Sequence, residues 1–216
     1  MDFDQIDLRT VALRFIVLVL SLSLHEWGHA IMADRLGDDT PRAQGRVTLY
    51  PMAHVDWIGT VLLPILGALG FFGNFASLGW AKPIETNPAN FRRGQVDQAL
   101  VTIAGPGVNF LLALLGTVGL AIAYRVHSEP LQDFFAMVLT MNVGLVVFNM
   151  LPIPPLDGSK FLMYWFGMSV ETYVRFAAFG GFMLLVLINL PPFRAFLGTL
   201  IRGALLPFNV LLHALT

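Results

Sequence analysis

The sequence predicts an all-α polytopic membrane protein, with about five to six transmembrane helices, a re-entrant or broken segment and a short β-hairpin. Three observations carry this. The 216 residues are 56% hydrophobic and only 12% charged, against about 25% charged in an ordinary soluble domain. Mean hydropathy is +0.70, so there are too few charged side chains to cover a water-facing surface. Apolar runs of about 20 residues, the length that crosses a bilayer, recur along the chain, and the polar links between them leave no room for a separate soluble domain. Residues 1–216 therefore read as one integral membrane domain.

The elements follow in order. Met1 to Arg9 holds three Asp and one Arg, the reverse of a basic signal-peptide start and without a small-residue cleavage site, so the first apolar run is expected to stay in the mature protein. Spans are predicted at Thr10 to Ala33, Ala99 to Ala123, Phe134 to Leu151, Val170 to Leu190 and Arg194 to Leu215. Ile58 to Leu78 is less regular. Pro64 and glycines at 59, 67, 70 and 73 loosen it and suit a re-entrant segment broken near Pro64 to Gly73. Gly45 to Val55 mixes β-branched and aromatic residues and is expected to form a hairpin near the membrane surface.

Charge and cysteine content narrow the chemistry. Thirteen basic and fourteen acidic residues give a net charge of -1, with no basic footprint for nucleic acid. The chain has no cysteine, so any metal must be held by His and carboxylate. His25, Glu26 and His29 form H-E-x-x-H inside the first apolar run. On a helix, positions i and i+4 lie about 40° apart, so both imidazoles can reach one Zn²⁺ while Glu26 stands beside it as a general base. Three ionisable groups within five residues of a membrane span are costly and mark function. A hydrolytic zinc site needs a third protein ligand. His54, Asp56, Glu85, His127, Asp157 and His213 are the candidates near other apolar segments. Asp157 stands out because Pro152, Pro154 and Pro155 break the chain before it, and broken backbone at membrane depth lines protein or a wet cavity.

These residues resemble the site-2 protease family of intramembrane zinc metalloproteases. The likeness rests on His25, Glu26 and His29, and on Asn149, Pro152, Leu156, Asp157 and Gly158 in the pattern N-x-x-P-x-x-x-L-D-G. Ala104-Gly-Pro-Gly-Val-Asn109 and Gly79-Trp-Ala-Lys-Pro83 add to it; the chain departs from larger members in leaving no room for a PDZ or CBS domain and so resembles the small prokaryotic type. The resemblance implies one Zn²⁺ per chain on His25, His29 and Asp157, Glu26 as general base, and hydrolysis of peptide bonds in or near transmembrane segments of membrane proteins. Asn149 and Asn109 are expected to donate to the oxyanion or substrate backbone, or to bridge helices. The competing reading is a transporter or metal carrier using the same intramembrane His and Asp. The expected partners are a transmembrane protein substrate and the bilayer, with self-association left open.

Ligand depth constrains topology. His25 lies about 22 Å along its span from Thr10 at 1.5 Å per residue, near the end that leads into Asp34, and Asp157 also follows its span. The two motif helices are therefore expected to run parallel with Ala99 to Ala123 returning between them. Arg35, Arg42, Arg46, Lys82, Arg92, Arg93, Lys160 and Arg175 then share the metal-proximal side, against Arg9, Arg14, Arg125 and Arg194 on the other. The positive-inside bias predicts a multi-pass protein of the cell membrane with its active site nearer the cytoplasm.

Overall fold

The computed structural model describes residues 8–68 and 79–216. Its long helices are α1 (Leu8–Arg35), α4 (Gln95–Arg125), α5 (Glu129–Asn149), α7 (Val170–Asn189) and α8 (Pro191–Leu215), with short helices α2 (Thr40–Ala43), α3 (Leu63–Ala68) and α6 (Phe161–Tyr164) between them. The five long helices are long and apolar enough to cross a membrane. Helices α1 and α4 extend the predicted spans at both ends and α5 at its start, mostly by polar residues, because main-chain hydrogen bonding continues until a capping or breaking residue intervenes. Ser169 caps α7 by accepting from the Thr172 amide at 3.2 Å. The prolines at 191 and 192 open α8, where a missing N–H costs nothing.

Side-chain register fixes how the helices run. Gly28 of α1 packs against Ala104 and Val108 of α4, and Ser21 meets Asn109, so the two helices are antiparallel. Asn109 meets Asn142 of α5, while Gly116 and Gly119 pack on Leu139 and Phe135, which makes α5 antiparallel to α4 and parallel to α1. Glycine at these crossings lets backbones approach where lipid supplies no hydrophobic drive. An added Cβ at Gly28 would stand 2.9 Å from the Ala104 carbonyl oxygen.

The last two helices depart from the expected up-and-down order. Phe110 stacks edge-on against Phe208 and the Arg125 guanidinium donates to the Leu215 carbonyl, so α8 runs alongside α4 in the same direction. The start of α8, with Arg194, therefore sits at the metal-proximal end and not on the opposite side. The reason lies in α7. Gly180 sits against the Pro154 carbonyl, the Tyr173 hydroxyl bonds Ser159, and Leu184 and Ile188 pack with Phe148, Ile153 and Leu156. These contacts hold α7 across the 148–159 segment, and it runs along none of α1, α4 and α5.

The predicted hairpin over Gly45 to Val55 does not form, and there is no β-strand among the described residues. Pro51 has no N–H for a ladder and opens a single 3₁₀ turn, Pro51–Ala53. The segment is held by other bonds: the His54 ring donates to the Thr48 carbonyl at 2.9 Å, and the Lys82 amide donates to the His54 carbonyl at 2.8 Å. The irregular segment begins as a π-helical turn, Trp57–Leu62, capped by Asp56, and continues into α3. The rest of the expected re-entrant stretch, 69–78, lies outside the described residues, as does most of the Met1 to Arg9 tail.

Asp38 ties the metal-proximal loops together. It is fully buried and accepts from the Thr40 hydroxyl at 2.6 Å, the Asn87 amide at 2.7 Å and Asn90 Nδ2 at 3.0 Å. Burial alone would raise its pKa, but these donors outweigh it and hold the carboxyl below the ordinary range. A carboxyl lowered on folding adds stability above the unfolded value, about 3.9, and loses it as pH falls through the folded one. Asp38→Asn is expected to cost about 2 kcal/mol at neutral pH and to flatten the loss of thermal stability below about pH 4; unfolding midpoints across pH check both.

Candidate metal centre

The first turn of the site is set by α1. His25 and His29 share one face, their rings edge-on with centroids 4.6 Å apart. Asp157 reaches them from the 3₁₀ turn Asp157–Lys160 that follows the proline break. His25 Nε2 and His29 Nε2 are 3.0 Å apart, and Asp157 Oδ2 lies 3.1 Å from the first and 3.0 Å from the second. All three residues are buried, and they form the one group of potential metal-holding His and acidic residues among the described residues.

The donor set fits zinc. Ligand atoms about 2.0 to 2.1 Å from a tetrahedral zinc lie about 3.3 Å apart, close to the three separations observed. The chemistry of the rings points the same way. His29 Nδ1 is 2.7 Å from the Val101 carbonyl oxygen, which can only accept, so that nitrogen carries the proton and Nε2 carries a lone pair. His25 Nδ1 lies against Asn109 Oδ1, with the same consequence. Two lone pairs and a carboxylate oxygen converging within 3.1 Å repel one another unless a cation sits among them. Gly105 of α4 keeps the space clear: a Cβ there would stand 2.3 Å from His29 Nε2 and 2.7 Å from His25 Nε2.

Glu26 is buried beside the triad, and its Oε2 accepts from the Ile84 amide at 3.1 Å. Ile84 belongs to the extended stretch after Gly79 and holds the carboxylate in place while leaving Oε1 free of that bond. Lys160 Nζ donates to Asp157 Oδ1 at 2.9 Å, which turns Oδ2 toward the two imidazoles. The 157-to-160 spacing on a 3₁₀ turn makes this pair readable from sequence, since i and i+3 eclipse there.

The other expected site residues separate. Asn149 ends α5 and lines the cleft, with Nδ2 donating to the Leu145 carbonyl at 3.0 Å. Asn109 is fully buried and does not line the cleft; its amide is committed to His25, Asn142 and Ser21. His54 is buried in the loop and not a surface group, Asp56 caps the π-helical turn, and Glu85 accepts from Gln44. His127 and His213 lie on exposed stretches at the ends of α4 and α8. None of His54, Asp56, Glu85, His127 and His213 joins the group of His25, His29 and Asp157. Asn142 and the Ile84 N–H went unread because neither sits in a spaced motif.

A cleft of about 1580 Å³ runs from the triad between α1, α5, α7 and α8, with Glu26, Asn149, Leu145, Phe182 and Ile201 among its walls. Its walls are mainly apolar between the ligand end and a second polar end with Thr10, Arg14 and Asp133.

Comparison with known proteins gives the lineage. The sequence model of peptidase family M50 matches residues 116–188. A Bacillus subtilis (strain 168) protein named "Putative zinc metalloprotease YwhC" is 34% identical over 188 residues, 84% of this chain and 81% of its own length. The chain belongs to peptidase family M50. A second relative, "Putative zinc metalloprotease Rip2" of Mycolicibacterium smegmatis, is 31% identical over 81% of this chain and 65% of its own length. The Rip2 protein of Mycobacterium tuberculosis (strain H37Rv) is 35% identical over 65% of this chain and 52% of its own. No solved structure matches.

Because the Nε2 atoms approach the Gly105 backbone so closely, Gly105→Ala must displace one ring by more than the roughly 0.2 Å that a metal site tolerates. Zinc affinity, measured by chelator competition, is expected to fall at least about tenfold, or about 1.4 kcal/mol.

Proposed function

We propose that this M50 chain is an intramembrane zinc metalloendopeptidase that hydrolyses peptide bonds in or near transmembrane segments of membrane proteins, and that residues 1–216 form one peptidase domain. The observation that carries the reading is the His25, His29 and Asp157 triad with Glu26 beside it, opening on a cleft whose walls are mainly apolar. His25, His29 and Asp157 hold the ion. Zinc bound there supplies Lewis acidity toward the scissile carbonyl and makes water acidic enough to lose a proton near neutral pH. Glu26, steadied by the Ile84 amide, takes that proton and returns it to the leaving amine. Asn149, on the cleft wall, is placed to donate to the substrate backbone. The apolar walls accept a transmembrane segment, which must unwind at the scissile bond before its carbonyl is exposed.

Orientation follows the charge bias. Eight basic residues flank the ligand end, from Arg35 to Arg175, and the packing of α8 adds Arg194 to them. By the positive-inside rule the site faces the cytoplasm of the cell membrane. No observation favours the carrier reading.

Two variants test the chemistry in detergent or vesicles with a model transmembrane substrate. Glu26→Gln is expected to bind one zinc and to lose at least about 100-fold in cleavage rate, whereas a carrier would work without this carboxylate. Asp157→Ala is expected to lose zinc and all cleavage; full zinc retention would exclude Asp157 as a ligand.

A further inference from the structure

The wall of the site away from the cleft holds a polar chain that the proteolytic reading leaves unused. It crosses three helices at one depth. Asn142 of α5 and Asn109 of α4 are both completely buried, and Ser21 of α1 is nearly so. Asn142 Nδ2 lies 2.8 Å from the Val138 carbonyl and 3.0 Å from Ser21 Oγ. Asn142 Oδ1 lies 2.8 Å from Asn109 Nδ2, which is also 3.4 Å from the Ser21 carbonyl, and Asn109 Oδ1 meets His25 Nδ1.

The direction of this chain is not free. The Val138 carbonyl can only accept, so the amide nitrogen of Asn142 must face it and the oxygen must face Asn109. That oxygen needs a donor, which turns the Asn109 nitrogen toward it, as does the Ser21 carbonyl. The Asn109 oxygen is then left for His25, and an amide oxygen accepts only a protonated ring nitrogen. A main-chain carbonyl on α5 thereby decides the tautomer of a side chain on α1. We propose that Asn142 and Asn109 form a positioning relay that locks His25 as the Nδ1–H tautomer and so presents its Nε2 lone pair to the metal. His29 is set by a simpler device, the Val101 carbonyl. The relay makes Asn109 a positioning residue and not an oxyanion donor. It rests on the zinc-protease reading only for the identity of the ion.

Outer partners of metal-binding histidines are worth about 10- to 100-fold in metal affinity. In the full chain, Asn109→Leu is expected to weaken zinc within that range, and Asn142→Leu about tenfold, at the low end of it. The double variant should bind zinc no more weakly than Asn109→Leu alone, because Asn142 acts only through Asn109. Ordinary interhelical glue would instead lower the unfolding temperature without this order of effects on zinc. Wild-type affinity in Asn109→Leu, or additive losses in the double variant, would each overturn the relay. Nitrogen-15 NMR of the histidines separates the two proposals. A wild-type chain that binds no zinc but carries the His25 proton on Nδ1, and loses that preference in Asn109→Leu, would sink the zinc site and uphold the relay. A wild-type proton on Nε2 would sink the relay.

Discussion

Three electron-rich atoms that would repel one another are held 3.0 to 3.1 Å apart within a largely apolar protein, and the rest of the fold is organised to make that tolerable. In a low-dielectric setting such a group is stable only around a cation. The requirement reaches outward by steps. Gly105 removes the one backbone substituent that would fill the space, Gly28 brings α1 and α4 close enough for Val101 to cap His29, and Lys160 absorbs the unused oxygen of Asp157. Each of these is a local choice, yet each serves the same three atoms.

The proline break between α5 and Asp157 belongs to the same constraint. A helix carried on past Asn149 would take Asp157 about 12 Å further along its axis at 1.5 Å per residue. The turns built on Pro152, Pro154 and Pro155 fold the chain back, so that Asp157 meets α1 at the depth of His25 and His29. The same segment then serves as a platform. Gly180 and Tyr173 of α7 dock on it, and this contact, not packing along the bundle, sets the course of α7 and leaves the cleft between α7, α8 and α1.

Much of this was legible in the sequence because the informative residues are rare there. His25, Glu26 and His29 stood out as ionisable groups in an apolar run, and the prolines marked Asp157; their depths alone called for parallel α1 and α5 with α4 between. What stayed hidden depends on contacts with no fixed spacing. Asn142 reads as an isolated polar residue in a span until α4 brings Asn109 against it. The hairpin expectation failed because β-branched residues state only a preference for extended backbone, while a ladder also needs N–H groups that Pro51 lacks. The direction of α8 was hidden because apolar length predicts that a helix can cross a bilayer but says nothing about where its predecessor docks.

On the proposed reading, the charge count at the site accounts for a general base working beside a metal. Asp157 and Lys160 neutralise each other at 2.9 Å, so a divalent ion and an ionised Glu26 leave a net charge of about +1 among these groups. If Glu26 takes a proton from the attacking water as proposed, the charge of the groups around water and substrate would rise toward +2, while the negative charge left on the water would pass to the carbonyl oxygen of the substrate. Stabilisation would therefore be greater in the transition state than in the ground state, which is the condition for rate acceleration and not merely for binding. Lys160 is essential to this arithmetic. Without it, Asp157 would hold the net charge near zero before proton transfer, and the same geometry would bind the ion more tightly while polarising the substrate less.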